Sequence, residues 1–437
     1  MVRHHLFLVA AAGAALVACS TSAPAGESVQ ASGVATDIVL ASEPDLEEQQ
    51  RVTLISKEDA AGPDAGDVDR VVVTGVRAAL RSGNLSTCLR ALSDASCGGV
   101  SGSPAPEAIN LTVNTVAEQS PDPVKRKFGE LTFIASYQLS STDPRFGGLS
   151  GLDVLADDNL LAVSDAGRFV WIDLSRDGVA PVAARLAPMR DASGKLLDGD
   201  NAAGSEGLAV NGGMALVSFE GEDRVLSFDI GRCGASARGA PIVFDNYGLS
   251  LRDAFDDARV EVGANNGSEP LAVTNDWYMF AGIEKKVGHF NFLSGRPIEA
   301  EPDFNLRVGV SAPEFAGLDI LADQRRNGAI RAFLVHRSAD NADSPTLITE
   351  TDMIRFLDPN ARGGGGEMGE RARWRFSETG WREMAKLDRL GSAESYEGIA
   401  AKQLPDGRVR LYLISDDDFD GAKRTVLTIF DAPKPSR

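Results

Sequence analysis

The sequence predicts an all-β fold, a β-propeller behind a long tether, and three recurring phrases predict it. The first phrase is a carboxylate or small residue, then Gly (once Pro), then apolar positions. Its copies are Ser150-Gly151-Leu152-Asp153-Val154, Glu206-Gly207-Leu208-Ala209-Val210, Glu269-Pro270-Leu271-Ala272-Val273, Ala316-Gly317-Leu318-Asp319-Ile320 and Glu397-Gly398-Ile399-Ala400-Ala401. The second phrase is an apolar run that closes on a charge: Asp165, Glu220, Glu284, Arg337 and Asp416 end its copies. The third ends on an apolar residue followed by Asp or Asn, as in Ile172-Asp173, Phe228-Asp229, Phe290-Asn291, Leu357-Asp358 and Phe430-Asp431. Three strands per unit, recurring near blade length, are the mark of radial β repetition. One blade cannot bury both faces alone, so the units must stack around an axis.

In chain order, residues 1–18 read as an export signal. Arg3 precedes the apolar run 6–17, which is too short to span a membrane and leads to small residues suited to cleavage. Leu16-Val17-Ala18-Cys19 resembles a bacterial lipobox. That resemblance implies lipidation at Cys19 and anchoring by acyl chains, and Ser20 in place of Asp implies sorting to the outer membrane. The other reading is an ordinary secretory signal with an incidental Cys.

Residues 19–127 read as a flexible tether, rich in Ala, Ser, Gly, Asp and Glu and lacking a sustained apolar period. Within it, 67–83 contains Asp69-Arg70-Val71-Val72-Val73-Thr74-Gly75 and resembles the energy-coupling segment of TonB-dependent transporters. The resemblance implies docking, as an extended peptide, to TonB or a transporter; the alternative is a stray edge strand. Cys88 and Cys97 are close enough for a small disulfide loop in an exported protein, which would leave Cys233 free. The run 131–139 alternates and is expected to complete the last blade and close the ring. The stretch 380–390 reads as a helix capping one face, inside a propeller domain of residues 128–437.

Of the 437 residues, 43% are hydrophobic, enough for a sizeable core. The formal charge of −19 argues against nucleic acid as a partner, because phosphate contacts need clustered Lys and Arg.

Equivalent positions in a ring converge on its axis, so Glu206, Glu269 and Glu397 are expected at one end of the channel. Each alone could simply accept hydrogen bonds from a neighbouring turn. Together they point to a site, since converging like charges need a cation or ligand to offset them. Hard oxygen ligands suit Ca²⁺, and the candidate ligands are Asp165, Glu206, Glu220, Glu269, Glu397, Asp416 and Asp417. Arg145, Arg224 and Arg337 are the candidates for holding a phosphate. A serine esterase is disfavoured: no Gly-x-Ser-x-Gly elbow is present, and past the signal only His289 and His336 remain. His336 is more readily a packed side chain than a base.

The segments Phe146-Gly147-Gly148-Leu149-Ser150-Gly151-Leu152, Val163-Ser164-Asp165-Ala166-Gly167, Gly204-Ser205-Glu206-Gly207-Leu208-Ala209, Val217-Ser218-Phe219-Glu220, Tyr396-Glu397-Gly398-Ile399-Ala400 and Ile414-Ser415-Asp416-Asp417-Asp418-Phe419 resemble the signatures of the phytase-like, "esterase-like activity of phytase", family. The resemblance implies a six-bladed propeller in an exported bacterial protein, with metal-dependent phosphoester chemistry at the axial acids. Ala316 departs from the pattern where a carboxylate is expected, although Glu314 lies two residues earlier. The alternative function is a non-catalytic lipoprotein that binds a small molecule or partner and serves a TonB-dependent transporter.

Overall fold

The protein is described by a computed structural model covering 97–99, 103–118, 122, 126–198, 204–220, 224–242, 267–275, 277–287, 290–297, 304–308, 314–322, 330–337, 345–358, 371–376, 381–387 and 395–434, with four strands nearer the N-terminus. Those four, Val29–Gln30, Asp37–Ala41, Val52–Ser56 and Val71–Val73, pair antiparallel in chain order within a separate unit, Met1–Arg90. The transporter-like run is thus an edge strand of that sheet. Cys19 and Cys88 lie outside the described residues.

The second unit, Ala91–Arg437, is the propeller. Blade 1 runs outward from the axis through Leu149–Val154, Leu160–Ser164, Arg168–Leu174 and Pro181–Pro188. Blade 2 comprises Ser205–Asn211, Met214–Phe219, Arg224–Asp229 and Ala240–Pro241, and blade 3 Leu271–Val273, Tyr278–Val287, Phe290–Pro297 and Phe304–Val308. Blade 4 has Glu314–Ala322, Ile330–Arg337 and Leu347–Asp358, the last of which pairs with both Arg371–Phe376 and Arg382–Lys386. Blade 5 has Ser395–Gln403, Val409–Asp416 and Thr425–Ala432, completed by Leu131–Ser141 from the other end of the chain.

The innermost strands touch in sequence, and that of blade 5 returns to that of blade 1. The ring therefore closes at five blades, not six. Each of the five copies of the first phrase is one inner strand, and no sixth copy exists to widen the circle.

Why these strands form follows from the five cores, each lying between two neighbouring blades. Leu161 and Val163 face Leu208 and Val217 of blade 2, while Leu160 and Ala162 face Tyr412 and Ile414 of blade 5. Alternate side chains thus enter different cores. The second strands are covered on both faces, which is why they read as unbroken apolar runs.

The first residue of the phrase is held in a bulge. Pairing skips Ser150 in blade 1, Ala316 in blade 4 and Glu397 in blade 5, and it slips across Glu206 and Gly207 in blade 2. A bulge leaves one residue unpaired and re-aims it. The following Gly is required by close approach: a Cβ at Gly207 would lie 2.2 Å from the Glu269 carbonyl oxygen, and one at Gly317 would lie 2.1 Å from that of Glu397.

Three expectations are corrected. The stretch 380–390 contains the strand Arg382–Lys386 rather than a helix, because Met384 and Ala385 are buried in the core between blades 4 and 5. The propeller begins before Phe128: Glu107–Ile109 and Leu111–Glu118 pair with the outer strands of blades 1 and 5. The disulfide joins Cys97 to Cys233, not to Cys88, since the fold folds residues 136 apart onto each other.

Gly207→Ala and Gly317→Ala are each expected to destabilise the propeller by about 1–3 kcal/mol through overpacking at the axis. Equilibrium urea unfolding measures this; neither glycine has a left-handed backbone, so the loss reads the crowding by the neighbouring carbonyl.

Candidate functional site at the mouth of the channel

Two rings of side chains meet at one end of the channel. The inner ring is the first position of the repeated phrase in each blade: Ser150, Glu206, Glu269, Ala316 and Glu397, all lining one pocket at the axis. Its neck admits roughly one water-sized body. The outer ring is the charge that closes each second strand: Asp165, Glu220, Glu284, Arg337 and Asp416. Two blades lack the inner acid, blade 1 with Ser150 and blade 4 with Ala316, and blade 4 alone closes its second phrase on a cation, Arg337.

That cation supplies the counter-charge. The Arg337 Nη2 atom lies 2.8 Å from Glu284 Oε1, 3.1 Å from Glu397 Oε1 and 3.6 Å from Glu269 Oε1. A cation from blade 4 thereby clasps blades 3 and 5. The three glutamates are buried, at 5–7% exposure, and in that setting removing their shared partner leaves charge that neither water nor protein offsets.

The remaining acids are held up in pKa. Glu206 lies well above the ordinary carboxylate range, through burial first and then the charges of Glu397, Glu220 and Asp165. Glu269 is raised likewise, by burial and then by Glu284, against the opposing pull of Arg337. Burial lifts Glu397 to about 7 despite Arg337, and Asp165 to about 6. Asp416 is pushed up to about 9 by burial, its hydrogen bond with Asp418, and Glu397.

The sequence-predicted set divides accordingly. Glu206, Glu269 and Glu397 do converge, with Asp165, Glu220 and Asp416 around them. Asp417 is used locally: its Oδ1 accepts from the Gly148 amide at 2.8 Å and its Oδ2 from Thr425 Oγ1 at 3.0 Å, clamping the turn. The three arginines are not brought together. Arg145 is engaged with Asp143 and Glu107, Arg224 lies over the Phe219 ring at 5.1 Å, and Arg337 sits among the glutamates. His336 is fully buried and bonded to Thr349 Oγ1 at 2.7 Å, so it is a packed core residue. Glu314 pairs in register with Arg337 at the start of the blade 4 inner strand and does not take the place of Ala316 in the lining.

Two features escaped the sequence reading. Glu284 closes the second phrase of blade 3, and the repeat itself would have flagged it. Asp153 and Asp319 stand three residues past the bulge and stitch blades together: Asp153 Oδ2 accepts from the Val210 amide at 2.5 Å and Asp319 Oδ2 from the Ala401 amide at 2.6 Å. Their pKa values are raised by burial, Asp153 to about 7, and Asp153 raises Asp319 further.

The donor chemistry of the mouth fits a hard divalent cation. Glu269 Oε2 and Asp165 Oδ1 are buried without a hydrogen-bond partner, and oxygen atoms of this kind are what Ca²⁺ takes. Among the described residues, no three acidic, His or Cys side chains already stand together in ligating positions. Ligation would thus have to draw the carboxylates in and displace their protons.

The raised carboxylates have a sign that can be tested. An unfolded Glu titrates near 4.3 and Asp near 3.9, so between those values and the folded ones the native protein binds more protons than the unfolded chain. Stability from these groups is fully present below about pH 4 and is lost as pH rises through the folded values, about 6 for Asp165, about 7 for Glu397 and about 9 for Asp416. Without divalent cation, the unfolding free energy is expected to fall over that window by on the order of 1–3 kcal/mol, and Glu397→Gln should flatten the slope. Arg337→Met is expected to cost about 3–5 kcal/mol at pH 8 by leaving buried carboxylates uncompensated, and less at pH 5, as read by denaturant titration at the two pH values.

Residues 144–290 match the family model described as Phytase-like, "Esterase-like activity of phytase". No curated protein matches the chain. Among solved structures it is similar to the PQQ-bound aldose sugar dehydrogenase of Streptomyces coelicolor, at 12% identity and a TM-score of 0.35, covering 75% of this chain and 100% of that one. It is also similar to the glutaminyl cyclase of Myxococcus xanthus, at 13% identity and a TM-score of 0.34 over 70% and 97% of the two chains. A third is the PQQ domain of pyranose dehydrogenase from Coprinopsis cinerea, at 9% identity and a TM-score of 0.35 over 76% and 98%. Likenesses this distant carry no functional argument. The family match runs from the approach to blade 1 to the start of the third strand of blade 3, about a third of the chain, and includes Asp165, Glu206, Glu220, Glu269 and Glu284, so over residues 144–290 the chain is similar to the phytase-like family.

Proposed function

We propose that the propeller is a cation-dependent phosphoesterase whose site is the acidic mouth of the channel. The observation that carries this reading is the gathering of Glu269, Glu284 and Glu397 on the Arg337 guanidinium, with Glu206, Asp165, Glu220 and Asp416 close enough to feel one another's charge and that of Glu397. Ca²⁺ bound there would polarise a phosphoryl oxygen and supply the positive charge that a phosphorylated small molecule needs. Glu206, Glu269 and Asp165 would hold the ion. Arg337 orients the glutamates from the opposite side and keeps Glu269 and Glu397 from collapsing apart by mutual repulsion.

The second reading is capture of a small ligand without turnover. It is favoured by the commitment of Arg145 and Arg337 to carboxylates, which leaves the phosphate to be held through the cation. The expected setting for either function is the bacterial cell envelope, with Cys19 lipidated, the chain anchored at the outer membrane, and the segment 67–83 engaging TonB or a TonB-dependent transporter. Labelling with a radioactive fatty acid, lost in Cys19→Ser, tests the anchor.

The activity is tested by phosphate release from phytate and a simple phosphomonoester, with Ca²⁺ and with chelator. Calcium-dependent release that drops at least ~100-fold in Glu206→Gln is the expected outcome. Calorimetric Ca²⁺ binding with no release of phosphate from either substrate would favour capture, and neither binding nor release would overturn both readings.

A further inference from the structure

One segment of the chain touches three consecutive blades. Cys97 is bonded to Cys233, at the end of the short helix Ile230–Cys233 that follows the third strand of blade 2. The Pro104 carbonyl accepts from the Ala235 amide at 3.0 Å. Glu107–Ile109 then pairs along the outer strand of blade 1, with Ile109 opposite Ala184 and Glu107 opposite Leu186, and Glu107 meets Arg145 at 2.8 Å. Leu111–Glu118 continues onto the outer edge of blade 5, pairing with Leu131–Ser141. The segment straddles the junction between blades 5 and 1, where the two ends of the chain close the ring.

Its attachment is shallow. None of residues 103–116 is buried, and Val116 is 40% exposed. What holds it is a row of edge hydrogen bonds, the partial packing of Ile109, Leu111 and Val113 against the core between blades 5 and 1, one exposed ion pair and the covalent bond at Cys97. Beneath it the ring is closed independently, because Leu131–Ser141 pairs along Thr425–Ala432 whether or not anything covers its other edge. A strand with few buried contacts opens at low free energy. A covalent anchor shortly before it keeps it at high effective concentration beside its edge.

We propose that the strands of residues 107–118 form a redox-buckled belt whose buckle is Cys97: opening the Cys97–Cys233 bond releases them from the outer edges of blades 1 and 5, while the five-bladed ring stays folded. Cys97 is only partly buried and Cys233 is fully buried, so attack comes at Cys97. The thiolate of a dithiol reductant bonds to Cys97 Sγ, and the Cys233 sulfur leaves as a thiolate and takes a proton. The second thiol of the reductant then displaces Cys97 as a thiol. Two electrons pass to the protein, and the reductant becomes a disulfide.

Hydrogen exchange on the full chain, oxidised and after treatment with dithiothreitol, tests this, with the double variant Cys97→Ser, Cys233→Ser as a reductant-free check. Peptides covering 107–118 are expected to exchange at least ~10-fold faster once the bond is open, with those covering 160–164 and 214–219 unchanged. Exchange of 107–118 that is the same in both states overturns the belt. Equal loss of protection in the second strands of blades 1 and 2 overturns it as well, since the bond would then be holding the ring itself.

Discussion

The rest of the molecule depends on how closely five innermost strands approach at the axis. At Gly207 and Gly317 the backbone of one blade lies against the bulged carbonyl of the next, nearer than any Cβ would allow. This single crowding fixes the glycine of the phrase. It also accounts for the residue before it: a bulge there turns that side chain out of the ladder and toward the channel. Placing a glutamate at that position in three blades then makes the pore acidic without further instruction.

A ring of acids in a water-poor neck is unfavourable unless it is neutralised, and the protein uses two means. One is blade 4, which removes its own carboxylate at Ala316 and extends Arg337 to the glutamates of both neighbours. The other is protonation, favoured by burial and by mutual repulsion at Glu206, Glu269 and Asp416. On the proposed reading, these are the protons that a bound cation would displace.

The outer parts obey a looser logic. Toward the rim the chain supplies strands from wherever it passes: Leu131–Ser141, with Leu131, Phe133 and Leu139 buried, and then Leu111–Glu118 on blade 5, and Glu107–Ile109 on blade 1. Both outer strands of blade 4 lie along different parts of one long strand, Leu347–Asp358. The outermost strands, Glu107–Ile109 and Leu111–Glu118, are the least buried, and the disulfide just before them ties that segment into the core between blades 1 and 2.

The sequence by itself determined the propeller, the three inner strands of every blade, the closing role of the run at 131–139 and the convergence of Glu206, Glu269 and Glu397. Those are consequences of local periodicity repeated at equivalent positions, and repetition is visible in one dimension. Only the tertiary structure decided that five blades suffice, because closure depends on the angle between neighbours. It alone decided that Arg337 belongs inside the acidic ring rather than with Arg145 and Arg224, that Asp153 and Asp319 each stitch one blade to the next, and that Cys97 meets Cys233. Each of these pairs residues far apart in the chain, and short spacing, which favoured Cys88 with Cys97, says nothing about which segments the ring lays side by side.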